Sequence, residues 1–134
     1  MSYGSVLSLY TAKRHKNIAS IILFVPYGTL SHLLWTHKPS RPFTQTLVSN
    51  GLKSERNLEK LTKPIETQYQ LEKLKDRKVV SFLGRNDKIV FDGQKLVTAI
   101  KKQGIDATFY ESRFGHFGTA AVNLVWKQRW DRVL

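Results

Sequence analysis

Three residues of the chain, Ser2, Asp87 and His116, are of the types that catalyse acyl transfer, and they occur in that order. A serine hydroxyl is a weak nucleophile near neutral pH unless a base within hydrogen-bond reach removes its proton. Imidazole suits this task because its ordinary pKa lies near neutrality. A carboxylate then fixes the tautomer of the ring and stabilises the imidazolium that forms. These residue types raise the hypothesis of a nucleophile at Ser2, an acid at Asp87 and a general base at His116.

Each of these three residues also has a purely structural interpretation. A Ser-x-Gly sequence is common in turns, and Asp87 lies in the sequence GRND, where Asn and Asp favour a turn. A histidine such as His116 can be structural, although its position between Gly115 and Phe117 after a predicted strand favours a catalytic role. Asp92 is the competing acid, but an Asp-Gly pair before a predicted helix is typical of an N-cap.

Other residues give weaker signals. His32 and His37 are five residues apart with no third ligand nearby, so we expect no metal site and no cofactor. Tyr27, Trp35 and Phe43 either line an acyl pocket or simply pack. The chain has no cysteine, which excludes disulfides, zinc–thiolate sites and a cysteine nucleophile.

Apolar periodicity predicts the elements that must position these residues. The predicted strands are 18–25, 78–83 and 107–110, and the predicted helices beside them are 4–15, 93–102 and a terminal helix from Thr119. Such alternation predicts a single α/β domain over residues 1–134, with a parallel sheet of about three strands flanked by helices. Ligands bind at the carboxyl ends of strands in open sheets of this kind. Asp87 and His116 follow the second and third strands, so we expect them at that edge.

Two regions are less regular. Between residues 29 and 77 we expect a loop around 35–42, followed by helices at 55–63 and 64–74 with proline between them. The terminal helix is predicted to pack through Ala120, Leu124, Val125 and Trp130.

The sequence resembles the α/β-hydrolase family in four motifs. These are SYGS before the first helix, FVPYG after the first strand, FLGRND after the second, and ESRFGHFG after the third. The resemblance covers residues 1–34 and 71–134, and 35–70 corresponds to the variable helical lid of that family. It implies that Ser2 is the nucleophile, Asp87 the acid, His116 the base, and the Tyr3 backbone N–H an oxyanion donor.

The sequence also departs from the family pattern at its start. Met1 stands close to where the elbow G-x-S-x-G begins, so its first glycine is missing, as are the preceding strands and the loop that supplies a second oxyanion donor. We therefore expect a partial α/β-hydrolase fold, equivalent to the C-terminal half. The predicted function is hydrolysis of an ester, thioester or amide through an acyl-enzyme, by a truncated chain that other segments complete. The alternative is a non-catalytic, hydrolase-derived fragment whose strand 18–25 pairs with a second copy or a complementing chain.

Charge and hydropathy bear on the binding partners and the location of the protein. Its 22 Lys and Arg against 10 Asp and Glu give a net charge of +12. The cations are spread at helix-surface spacing rather than gathered in a stripe with aromatic residues, so we expect no specific nucleic-acid partner. A basic binding module remains a third, weaker alternative. The apolar run at 21–25 is too short to span a membrane and no signal peptide precedes it, so a cytoplasmic location is expected.

Overall fold

The chain folds around a three-stranded parallel sheet with helices packed beside it. A computed structural model describes residues 3–89 and 92–125. The strands are β1 (Ser20–Phe24), β2 (Lys78–Gly84) and β3 (Ala107–Ser112), in the order β1-β2-β3. The helices are α1 (Tyr3–Arg14), α2 (Leu30–Thr36), α3 (Arg41–Ser49), α4 (Glu55–Thr62), α5 (Gly93–Lys102) and α6 (His116–Val125). The predicted α/β class and parallel sheet are confirmed.

The apolar runs of β1 and β2 are buried against two separate cores. On one face of the sheet, Leu23 and Val79 pack with Leu9 of α1 and Ile100 of α5. On the other face, aromatic rings at paired positions of adjacent strands stack on one another. The ring centroids of Phe24 and Phe82 are 5.0 Å apart, and those of Phe82 and Tyr110 are 5.1 Å apart. Burial on both faces explains why these strands lack the alternation of a half-exposed strand.

The insert between β1 and β2 is more helical than predicted. The segment expected to be a loop, 35–42, contains the end of α2, a 3-10 turn at Lys38–Ser40 and the start of α3. Pro39 lies in that turn and Pro42 in the first turn of α3. A proline is tolerated there because N–H groups of the first turn have no partner within the helix. The predicted helix at 64–74 is instead two 3-10 turns, Thr67–Tyr69 and Leu71–Leu74.

The terminal helix starts earlier and buries a different side than predicted. It begins at His116 rather than Thr119, and its buried residues are His116, Thr119, Ala120 and Asn123. Ala120 was correctly predicted to pack, whereas Leu124 and Val125 are 54% and 84% exposed. The buried face follows His116 at helical spacing, so polar contacts rather than the most apolar stripe orient α6. Trp130 lies outside the described residues.

Two buried carboxylates hold the start of α2. The backbone N–H groups of Gly28 and Thr29 donate to Asp92, at 3.1 and 3.0 Å. Those of Leu30 and Ser31 donate to Glu66, both at 2.7 Å. Asp92 does occupy the N-cap position of α5, but its side chain makes no cap bond there. Asp92 therefore stands at the predicted N-cap position of α5, but its carboxylate does not cap that helix. It binds N–H groups at the start of α2 instead.

Candidate active site

Asp87 is positioned by a tight turn at the carboxyl end of β2. Its own N–H donates to the carbonyl of Gly84 at 3.2 Å, which closes the turn GRND. Its Oδ1 accepts a hydrogen bond from the N–H of Ile89 at 2.8 Å. Such a bond from an Asp side chain to the backbone two residues on is typical of an Asx turn. The turn interpretation of Asp87 is therefore correct, and it leaves Oδ2 available to another group.

His116 is positioned by the short connection between β3 and α6. It is the first residue of α6, and the N–H of Thr119 donates to the carbonyl of Gly115 at 2.9 Å, which fixes the first helical turn. The ring lies edge-on to Phe117, with the two ring centroids 5.2 Å apart. The side chain of His116 is 4% exposed and that of Asp87 is 3% exposed.

The two side chains meet in a buried hydrogen bond. Nδ1 of His116 lies 2.8 Å from Oδ2 of Asp87, although 29 residues separate them. A carboxylate beside Nδ1 favours the tautomer with its proton on that nitrogen, which leaves Nε2 free to accept a proton. The pair thus has the geometry of a general base oriented by an acid.

The loops that carry the two residues approach each other closely. The Asn86 side-chain amide donates to the carbonyl of Arg113 at 2.7 Å, and the hydroxyls of Ser112 and Thr119 are 2.6 Å apart. A Cβ added at Gly84 would lie 2.7 Å from both the Phe114 carbonyl oxygen and the Thr119 hydroxyl. Glycine at position 84 is therefore required for this approach, which brings Asp87 to His116.

The start of α1 lies at the same edge of the sheet. Val6 of α1 packs with Tyr27 and Leu30, which follow β1 at its carboxyl end. Tyr3 is the first residue of α1, so its backbone N–H is one of those that have no partner within the helix. Ser2, the predicted nucleophile, directly precedes Tyr3 in the sequence and lies outside the described residues.

A cavity opens beside Asp87. It has a volume of about 320 Å³ and is lined at the carboxyl ends of all three strands by residues that include Val25, Gly84, Asp87 and Glu111. Val25 has a φ of 45°, in the left-handed region that β-branched residues avoid. Strained backbone of this kind is concentrated at functional sites and persists only where the surrounding structure imposes it.

The weaker candidates have structural surroundings. Nδ1 of His32 lies 2.8 Å from the Glu55 carboxylate, a pairing not expected from the sequence. Tyr27 is buried in a core cluster and Phe43 is 51% exposed on α3. Within residues 3–89 and 92–125, no group of three His, Asp or Glu side chains could hold a metal ion. No helix in the same segments is long and apolar enough to cross a bilayer.

The principal residue missed by sequence reasoning is Glu66, which is fully buried. Besides two backbone N–H groups it accepts a hydrogen bond from the Thr62 hydroxyl at 2.7 Å. Thr62, the last residue of α4, and Glu66 are four residues apart in the sequence, but this spacing alone does not indicate that Glu66 is buried. In the same insert, Glu59 accepts a hydrogen bond from the Tyr69 hydroxyl at 3.0 Å and raises the pKa of that phenol.

Comparison with known proteins adds no relative: no protein-family model matches the chain, and no curated protein matches it.

Proposed function

We propose that the protein is a serine hydrolase that acts on ester, thioester or amide substrates through an acyl-enzyme, with the partial α/β-hydrolase fold that its motifs suggest. The observation that carries the proposal is the buried hydrogen bond of 2.8 Å between Asp87 and His116. The side chains of this pair are almost fully buried, whereas those of the His32–Glu55 pair are partly exposed. A buried acid–histidine pair at the carboxyl edge of a parallel sheet is typical of an active site.

In the proposed reaction, Nε2 of His116 removes the proton from the Ser2 hydroxyl as its oxygen attacks the acyl carbon. The resulting imidazolium is stabilised by Asp87 and then gives its proton to the leaving group as the bond to that group breaks. Water, deprotonated by the same ring, attacks the acyl-enzyme and releases the acid while Ser2 regains its proton. His116 therefore carries the proton in both half-reactions.

The negative charge that develops on the acyl oxygen needs hydrogen-bond donors. The proposal assigns one donor to the N–H of Tyr3, because the first N–H groups of α1 are free of helical partners and the helix dipole favours an anion there. Removal of one oxyanion donor typically slows such a reaction about 100- to 1,000-fold. The turnover of the chain therefore depends strongly on whether a second donor is present.

A fluorophosphonate probe tests this function, because it phosphonylates an activated serine without needing the natural substrate. We expect the wild-type chain to be labelled, and the Ser2→Ala and His116→Gln variants to be unlabelled. Ser49→Ala and His15→Gln are the matched controls, since both residues are exposed. Labelling that survives Ser2→Ala, or no labelling of the wild-type chain, would refute the proposal for this chain.

One observation favours a second, non-catalytic function through the edge of the sheet. Among the described strands β1 pairs with β2 alone, and a groove of about 400 Å³ runs between its other edge and α1. The groove is lined by residues that include Leu7, Ile18, Ile21 and Ile22. An open strand edge beside an apolar groove is a template for strand addition. In this alternative, a second copy or another chain adds a strand along 18–25.

Light scattering at increasing protein concentration tests the alternative. Leu7 and Leu61 are each 66% exposed, but only Leu7 lines the groove. We expect Leu7→Lys to abolish self-association and Leu61→Lys to leave it unchanged. A wild-type chain that stays monomeric at high concentration would exclude pairing between copies.

A further inference from the structure

A basic cavity lies at the amino-terminal ends of the strands, opposite the ends that carry Asp87 and His116. It is formed where the chain enters β1 and β2, and its volume is about 560 Å³. Its lining includes four cations, Lys13, Lys16, Lys73 and Arg77, and one carboxylate, Asp76. Cavities of about 300–1,000 Å³ are the usual size of small-molecule sites.

The four cations are not neutralised by the fold. None of them forms an ion pair with a carboxylate among residues 3–89 and 92–125. Lys13 donates to the neutral side-chain oxygen of Gln70 at 2.8 Å. Like charges around one concave surface repel each other, and a concave shape focuses their field more than a flat surface does. An anion bound in the cavity would relieve this repulsion.

Unlike the three lysines, Arg77 binds backbone carbonyl groups on the wall of the cavity. Its Nη1 donates to the carbonyls of His15 at 3.2 Å and Ile18 at 2.8 Å. These bonds tie the segment before β2 to the segment before β1, so Arg77 holds two walls of the cavity at a fixed distance. The Arg77 side chain thus connects the two backbone segments that border the cavity.

We infer that this cavity binds a small anion that carries two phosphate groups. Each phosphate monoester carries about −1.5 to −2 charge near neutral pH, so two groups match the four cations less Asp76. A single phosphate would leave part of the positive charge uncompensated. This site is independent of the proposed hydrolase centre, because the two lie at opposite ends of the strands.

Isothermal titration calorimetry with inorganic diphosphate, at constant ionic strength, tests the inference. We expect one saturable site per chain, and weaker binding of inorganic phosphate. A parallel titration with ADP shows whether the ligand is free diphosphate or a nucleotide. Tighter binding of ADP than of diphosphate would indicate that the cavity also binds the nucleoside. Equal binding would indicate that it binds the diphosphate group alone.

Charge-matched variants separate a site from general attraction to a basic protein. Lys16→Gln with Lys73→Gln should weaken diphosphate binding about tenfold, since exposed ion pairs contribute roughly two- to fivefold each. Lys53→Gln with Lys60→Gln removes the same charge from exposed positions outside the cavity and should change affinity less than about twofold. Asp76→Asn should tighten binding. Equal losses in both double variants, or no saturable binding by the wild-type chain, would overturn the inference.

Discussion

At the scale of single residues, the hydrogen bond between Asp87 and His116 depends on how closely two loops can approach. Asp87 uses one carboxylate oxygen to hold its own turn and the other to hold the histidine. The sequence predicted this pair because parallel strands bring their following loops to one edge. The sequence could not predict the partner of His32, because Glu55 is 23 residues away and local patterns do not show how α2 and α4 pack together.

Replacement of Asp87 by asparagine should slow phosphonylation of Ser2 by the fluorophosphonate about 10³- to 10⁴-fold, because an amide does not hold the required tautomer or stabilise the imidazolium. The rate of probe incorporation measures this. Asp106→Asn is the control, since Asp106 is exposed beside β3. A wild-type rate in the Asp87→Asn variant would remove Asp87 from the mechanism.

Gly84→Ala should lower the free energy of unfolding by about 1–3 kcal/mol, because its new Cβ would lie 2.7 Å from the carbonyl oxygen of Phe114. Gly4→Ala is the matched control and should not lower the free energy of unfolding. Nothing lies within 4 Å of a Cβ there, and Gly4 is in the first turn of α1. Urea denaturation measures both changes, and an unchanged stability in Gly84→Ala would show that the loops can move apart.

At the scale of elements, helix α2 depends on carboxylates that are distant in sequence. The N–H groups of Gly28 and Thr29, just before the helix, bind Asp92, and those of its first two residues bind Glu66, which is at least 35 residues along the chain. Local patterns predicted α1, α4 and α5 because each carries its own apolar periodicity or cap signal. They could not predict α2, because the groups that satisfy its N-terminus belong to other elements.

Glu66→Gln should lower the free energy of unfolding by about 1–3 kcal/mol, because the amide replaces one acceptor oxygen with a donor that faces other donors. Glu72→Gln, at an exposed position of the same insert, should leave stability within about 0.5 kcal/mol of wild type. Thermal and urea unfolding report the difference. Equal stability of the two variants would mean that the start of α2 is held by other contacts.

At the scale of the whole molecule, the net charge of +12 acts against the compact state. Among the described residues, one ion pair joins Arg85 to Glu111. Two further contacts, His32 with Glu55 and His116 with Asp87, are ion pairs only when the histidine is protonated. The net charge follows from composition, and the alternation of predicted strands and helices predicted the α/β class. Neither could predict the basic cavity, which forms only when the segments before β1 and β2 meet.

The melting temperature should therefore rise when sodium chloride is increased from low to near-physiological concentration. Salt screens repulsion between exposed cations, since the Debye length falls from about 30 Å at 0.01 M to about 8 Å at 0.15 M. Differential scanning calorimetry measures this. The Lys16→Gln, Lys73→Gln double variant should show a smaller rise than wild type, and a melting temperature that falls with salt would be the opposite of the expected result.

The carboxylate-bound start of α2 also has a consequence for biosynthesis. Gly28 and Asp92 are 64 residues apart, which at about 5–20 residues per second takes a ribosome roughly 3–13 seconds to translate. During that interval the N–H groups of Gly28 and Thr29 lack the carboxylate that binds them in the folded protein, whereas Glu66, which binds those of Leu30 and Ser31, is translated earlier. We therefore expect the turn before α2 to become ordered only after the segment that bears Asp92 leaves the exit tunnel.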